Sequence, residues 1–205
     1  MNWIERTHDR HIFTRRVEAL SEGLARLIPP DSDVLDIGSG DGRVCSLLAA
    51  RRRDLHLTAV DTLQREKSFF PVSIYDGRRL PFDADRFDGV TFVDVLHHVD
   101  PMENLLREGA RVSRGFVVIK DHLCGGALDR AVLRFMDNVG NAHHGVASIY
   151  NYKSRAAWDA IFESLGLSVE KWIGRLSLYP VAIGWLFERN LHFMARLAKV
   201  PAREK

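Results

Sequence analysis

The sequence predicts an α/β protein with a doubly wound, mostly parallel, seven-stranded sheet and helices on both faces. Five short apolar runs recur along the chain. Most are near-continuous rather than alternating, as in parallel strands buried on both sides. Helical periodicity falls between several of them. Two late segments, LSVEKWI (167–173) and LHFMARLA (191–198), alternate instead, as strands with unlike faces do.

Taken in order, residues 10–28 read as a helix with Val17, Leu20, Leu24 and Leu27 on one face, ended by PPDSD. VLDI (34–37) is the first strand, and Val44, Leu47, Leu48 and Ala49 mark a helix from near Arg43. LHLTAV (55–60), VSIY (72–75) and GVTFVDVL (89–96) are the next three strands. In DPMENLLREGARV, Asp100 is the expected N-cap, Pro101 the first helical residue and Glu103 the capping-box partner. GFVVIK (115–120) is the fifth strand. Residues 121–153, rich in Gly, Asn and His, read as irregular. Ser154 caps a helix carrying Trp158, Ile161, Phe162 and Leu165, which Gly166 stops. Segments 167–173 and 191–198 supply the last two strands, although the latter also admits a helix.

Length and composition bound the function. The 205 residues suit one domain with a sizeable core, and 46% hydrophobic against 27% charged residues is an ordinary balance for a soluble protein. The net charge of +2 disfavours a nucleic-acid partner. Arg51, Arg52 and Arg53 fall where a helix ends, so they complement its C-terminus. The two cysteines, Cys45 and Cys124, form no CxxC and imply no disulfide framework, and a reducing cytoplasm is the expected setting. The N-terminus is charged and has no apolar core of a secretory signal, and no apolar stretch is long enough to span a bilayer.

The most informative stretch is VLDIGSGDGR, Val34 to Arg43. A strand that ends in Asp36 and runs into Gly38, Gly40 and Gly42 builds a tight turn without Cβ atoms. A ligand can approach its backbone there, and the following helix offers N–H groups to an anion. A dinucleotide site wants G-x-G-x-x-G, and Arg43 stands at its third glycine position.

The alternate-glycine loop resembles motif I of the class I S-adenosylmethionine (SAM)-dependent methyltransferases, in particular the group called type 11. That resemblance implies a SAM-methyltransferase Rossmann-like fold, SAM as cofactor and S-adenosylhomocysteine as product. It places Asp36 near the ligand amine and Gly38 and Gly40 along the methionine and ribose. Asp61, ending TAVD, then accepts from the ribose hydroxyls, as the acidic residue of a dinucleotide site does. Asp76, in YDGRRLPF, receives the adenine amino group, with Leu80 or Phe82 nearby. FDGVTFVDVLHHVDP looks like the D-x-x-H-H form of motif IV and adds Asp94 to the cofactor edge. The resemblance is strong over about residues 30–120 and weaker to 198. It divides a single methyltransferase domain, 1–205, into an N-terminal helical cap (1–30), a SAM-binding core (31–120), a lid-like insertion (121–153) and a C-terminal helix with strands (154–205).

Methyl transfer from a sulfonium is an in-line displacement that demands positioning and exclusion of water. An oxygen acceptor also needs a general base unless it is already ionised. The candidate catalytic residues are His97, His98, Asp121 and His122, at the ends of the fourth and fifth strands, with Asp121 and His122 read as a pair able to orient an acceptor hydroxyl. FMDNVGNAHHGVASIYNY (135–152) reads as a lid formed with the N-terminal helix, so His143, His144 and Tyr150 are candidate substrate residues. Trp185 is the fourth candidate, in the aromatic stretch 175–193, which reads as an acceptor wall, a dimer contact, a peripheral membrane patch or core. No metal is expected, because His143, His144, Asp121 and His122 show no i,i+4 or CxxC ligand spacing.

The expected activity is methylation of a small-molecule acceptor on oxygen. The alternatives are C-methylation of a quinone-like or lipid acceptor, and a non-catalytic SAM-binding module. An NAD-linked oxidoreductase lacks the Tyr-x-x-x-Lys pair, and DVLHH lacks the N/D-P-P-Y/F pattern of amino-methylating nucleic-acid enzymes. The expected protein is a cytoplasmic monomer or homodimer with no integral membrane association, peripheral contact remaining open.

Overall fold

The computed structural model describes residues 3–141 and 149–200. Its elements in chain order are α1 (Trp3–Leu27), β1 (Asp33–Ile37), α2 (Arg43–Arg51), β2 (His56–Asp61), β3 (Ser73–Ile74), β4 (Phe87–Val93), a 3₁₀ turn (Leu96–His98), α3 (Met102–Val112), β5 (Ser113–His122), α4 (Ala127–Asn141), α5 (Arg155–Ser164), β6 (Leu167–Ile173), α6 (Val181–Phe187) and β7 (His192–Lys199). The strands form one seven-stranded sheet in the order β3-β2-β1-β4-β5-β7-β6. Strands β1 to β5 are parallel, while β7 runs antiparallel to both neighbours. The fold class, the seven strands and the strand reading of 191–198 all agree with expectation.

Strand alternation distributes side chains between two cores. Leu35, Ile37, Phe92, Val117, Ile119 and Phe193 pack with α3 and α5. Val34, Phe116, Val118 and Met194 pack with Leu20, Leu24 and Leu27 of α1 and Leu48 of α2 on the other face. The carboxyl ends of β1, β2, β4 and β5 therefore lie along one edge. In such sheets, ligands bind outside that edge, where the strand order reverses.

Several expectations are corrected. The fourth strand stops at Val93 rather than at 94–96, because Asp94 adopts φ 56° and turns the chain into the 3₁₀ segment. Asp100 does not cap α3. Its N-cap is Pro101 in extended conformation, without a side-chain hydrogen bond. The fifth strand runs on to His122, because pairing with β7 continues through Asp121 to Phe193 and His122 to His192. The stretch 121–153 is not irregular throughout, since it contains the 15-residue α4. Leu133 of α4 is fully buried against Cys124, Tyr152 and Leu191, with Val132 and Met136 beside them. Before the helix, the Asp129 carboxylate accepts from Gly125 N at 2.9 Å. By contrast, Ser154 caps α5 as expected, accepting from Ala157 N at 3.2 Å. No helix among the described residues is long and apolar enough to cross a membrane.

Candidate active site

The glycine loop leaves β1 with Gly38 at φ 78° and Gly40 at φ 61°, conformations that L side chains rarely adopt. Gly38 N donates to Val60 O at 2.9 Å, which ties the loop to β2. A Cβ on Gly38 would stand 2.4 Å from a Val95 methyl, so this glycine serves close packing. A Cβ on Gly40 would meet nothing within 4 Å, so the loop faces open space there.

Asp61 braces the same loop from β2. Its Oδ2 accepts from Gly40 N at 2.7 Å and its Oδ1 from Leu63 N at 2.8 Å. A carboxylate has about four acceptor sites, so two remain for a ligand diol. Asp36 lies beneath the loop, 5% exposed. It accepts from the Thr91 hydroxyl at 2.5 Å and from the Cys45 thiol at 3.2 Å, joining β1 to β4 and α2. Burial pushes its pKa up, partly offset by those hydrogen bonds. Asp76 is exposed and accepts from Arg78 N at 2.9 Å and Arg79 N at 3.3 Å, which shapes the turn after β3.

The second constellation is a buried polar cluster at the ends of β4, β5 and β7. The His97 ring meets Asp121 Oδ1 through Nδ1 at 2.7 Å, with both side chains 1% exposed. This pairing replaces the expected Asp121–His122 side-chain pair, since His122 reaches that carboxylate only through its backbone N, at 2.7 Å. The His122 ring turns the other way, with Nδ1 3.1 Å from His192 Nδ1. Asp94 pairs with Lys120 and, at 2.6 Å, with Arg16 of α1. Asp137 of α4 closes the top and accepts from the Tyr152 hydroxyl.

Electrostatics differ sharply across the cluster. Burial opposes the charge on His97, but the carboxylates of Asp121, Asp137 and Asp94 outweigh it and raise its pKa. Burial, then Lys120 and His97, hold His122 well below the ordinary imidazole value. Burial, then Lys120 and Arg16, do the same to His192. Burial would raise the Asp94 pKa, yet Lys120 and Arg16 keep it well below the carboxylate range.

Sequence reasoning named His97, His98, Asp121, His122 and Asp94, and the fold brings these together. It did not name Asp137, His192, Lys120 or Arg16 as site residues. His192 faces His122 only through the β5–β7 register, and Asp137 only through α4. Tyr150 donates to Asn138 at the outer side of α4 and lies 6.2 Å from the Tyr152 ring. Trp185 is 73% exposed on α6, so core packing does not describe it. His143 and His144 lie outside the described residues.

This strand order, with an antiparallel β7 and a glycine cradle at the carboxyl edge of β1, defines the class I SAM-dependent methyltransferase fold. A family model described as "Methyltransferase domain" matches residues 8–171, and the chain belongs to that family. Solved structures agree on the fold. A chain of the complex between the Haloferax volcanii Trm112 methyltransferase activator and a methyltransferase superposes with a TM-score of 0.70 at 15% identity, covering 97% of this chain and 95% of that one. A SAM-dependent methyltransferase from Aquifex aeolicus gives a TM-score of 0.56 at 15% identity, over 83% and 84% of the two chains. Geranyl diphosphate methyltransferase, solved with geranyl diphosphate and sinefungin, gives 0.63 at 14% identity, over 89% and 77%. No curated protein sequence matches the chain. The protein is a SAM-dependent methyltransferase, and the open space before Gly40 and the two remaining acceptor sites of Asp61 leave room for such a cofactor.

Proposed function

We propose that this enzyme methylates an oxygen atom of a small-molecule acceptor, with His98 as the acceptor-side base. The observation that carries the reading is the contrast between neighbouring histidines. His98 is half-buried at the carboxyl edge, whereas His97, Asp121 and His122 are enclosed. Bound SAM supplies a sulfonium-activated methyl group. The glycine loop holds the amino-acid and ribose part, Asp61 receives the ribose hydroxyls and Asp76 the adenine amino group. Asp36 and Asp94 act from beneath, keeping the loop and the end of β4 in place.

An oxygen acceptor must lose a proton as it is methylated, and a neutral imidazole takes it at its lone pair. Burial, and then the neighbouring charge of His97, lower the basicity of His98, which favours that neutral form. His97, locked by Asp121, fixes the wall behind it, their rings 4.0 Å apart for His97 and His98. Tyr150 belongs to the acceptor entrance, and Trp185 to its outer rim. The protein acts in the cytoplasm as a monomer or homodimer.

Transfer of labelled methyl from SAM to a panel of phenols, enols, carboxylates, amines and thiols tests this reading. Product methylated on oxygen is expected. His98→Ala should slow neutral hydroxyl acceptors about 100-fold or more, and slow acceptors that are already ionised far less. Transfer chiefly to carbon or nitrogen, or equal slowing of both acceptor types, would overturn it.

A further inference from the structure

The buried cluster contains an arrangement that methyl transfer does not require. His192 Nε2 lies 2.9 Å from the carbonyl oxygen of Phe187, which can only accept, so that nitrogen carries the hydrogen. His192 Nδ1 is then a lone pair, consistent with Lys120 Nζ 3.5 Å away. The proton between His122 and His192, whose Nδ1 atoms are 3.1 Å apart, therefore belongs to His122 Nδ1. That leaves His122 Nε2 as a bare lone pair, buried and without a hydrogen-bond partner. It faces Asp94 Oδ1 at 3.5 Å and Asp137 Oδ1 at 3.7 Å. His97 repeats the pattern. Asp121 takes its Nδ1 hydrogen, and its Nε2 faces Asp137 Oδ2 at 3.6 Å, where the carboxylates that favour a proton on His97 favour a metal ion in its place.

Two imidazole nitrogens and two carboxylates thus converge, and although Lys120 donates to Asp94 Oδ1 and the Tyr152 hydroxyl to Asp137 Oδ2, no donor reaches His122 Nε2. Lone pairs set against carboxylates repel, and a cation at their centre reverses the sign. The separations identify the kind of cation. Bonds of about 2.0–2.2 Å to a tetrahedral zinc place neighbouring ligand atoms about 3.3–3.6 Å apart, and the 3.5 Å between His122 Nε2 and Asp94 Oδ1 falls within that range. One ligating atom from each of Asp94, His97 and His122 lies within 4.8 Å of the others, and His97, His98 and Asp137 form a second group. Both rings are also held as metal ligands usually are, each donating its other nitrogen to a fixed partner: Asp121 for His97, His192 for His122.

We infer that Asp94, His97 and His122 form a site for a divalent transition metal of the zinc class, with water at the fourth position. The site is distinct from the glycine cradle and does not rest on the acceptor chemistry proposed above. All three protein ligands are side chains, so the ion would tie the turn after β4 to the end of β5 beside the methyl-transfer site.

The test uses the full-length chain, stripped with a chelator and titrated with zinc chloride against a chromophoric competitor, and in parallel with cobalt(II). The site predicts one equivalent per chain and the intense visible bands of four-coordinate cobalt, without a sulfur-to-cobalt charge-transfer band. His122→Ala should abolish stoichiometric uptake, and Asp121→Asn, which removes only the support of His97, should weaken it about 10–100-fold. His56→Ala, at an exposed histidine remote from the cluster, should leave it intact. No uptake, uptake unchanged in His122→Ala, or a thiolate band implicating Cys45 or Cys124 would overturn the inference. Should His122→Ala fail to fold, the stoichiometry and cobalt spectrum of the unmodified chain decide.

Discussion

Replacing Gly40 by alanine should separate ligand binding from stability. Gly40 sits at φ 61°, and an added Cβ would meet no protein atom within 4 Å. The stability cost is therefore the left-handed backbone alone, about 1 kcal/mol, or a fall in Tm of about 2–4 °C for a domain of this size. The methyl group would stand in the space before the loop, where the proposed site puts the methionine and ribose part of the ligand. Affinity for S-adenosylhomocysteine should fall more than tenfold, a loss of more than about 1.4 kcal/mol. Gly38→Ala is the contrasting control. It carries the same backbone strain, but its Cβ would lie 2.4 and 2.8 Å from two Val95 methyl carbons. Overpacking adds about 1–3 kcal/mol, so this variant should lose about 2–4 kcal/mol in urea denaturation. Titration calorimetry beside denaturant melts reads both quantities. Unaltered ligand affinity in Gly40→Ala would refute the cradle, and a Gly38→Ala no less stable than Gly40→Ala would refute the packing argument.

Three further outcomes follow from single contacts. Asp61→Ala strips the acceptors of Gly40 N and Leu63 N and should cost about 2–4 kcal/mol of stability in a urea melt, together with at least a tenfold loss of S-adenosylhomocysteine affinity. Trp158 is fully buried and donates to His122 O at 3.0 Å, so Trp158→Ala should lose about 3–5 kcal/mol, and a loss below about 1 kcal/mol would contradict its place in the core. Trp185→Ser, at a side chain 73% exposed, should change stability by less than about 0.5 kcal/mol, and a larger loss would mean that the ring is covered.

The glycine loop and the aspartates beside it were legible in the sequence because they are local. A strand, an aspartate and alternate glycines occupy ten consecutive residues, and Asp61 ends the very next strand. The sheet was legible for the same reason, each parallel strand being a short apolar run. What escaped depends on distant pairing. His192 meets His122 only because β7 runs antiparallel to β5 in one register, and a shift by one residue would point it to the opposite face. Asp137 escaped because the Gly, Asn and His content of 121–153 masked the spacing of Val132, Leu133 and Met136, which packs α4 and turns Asp137 inward. Asp100 misled because the chain stays extended through Pro101, which leaves the capping side chain outside the helix. Arg16 sits on a helix whose apolar face was read correctly, yet nothing local marks it as the partner of a carboxylate 78 positions away.

The glycine loop is proposed as a SAM cradle in a working methyltransferase. The most direct test is a calorimetric titration of the purified chain with S-adenosylhomocysteine, with SAM and NAD⁺ as parallel ligands. Saturable, one-to-one binding of the two SAM forms and none of NAD⁺ is the expected result. Failure of both SAM forms to bind, or preferential binding of NAD⁺, would contradict it.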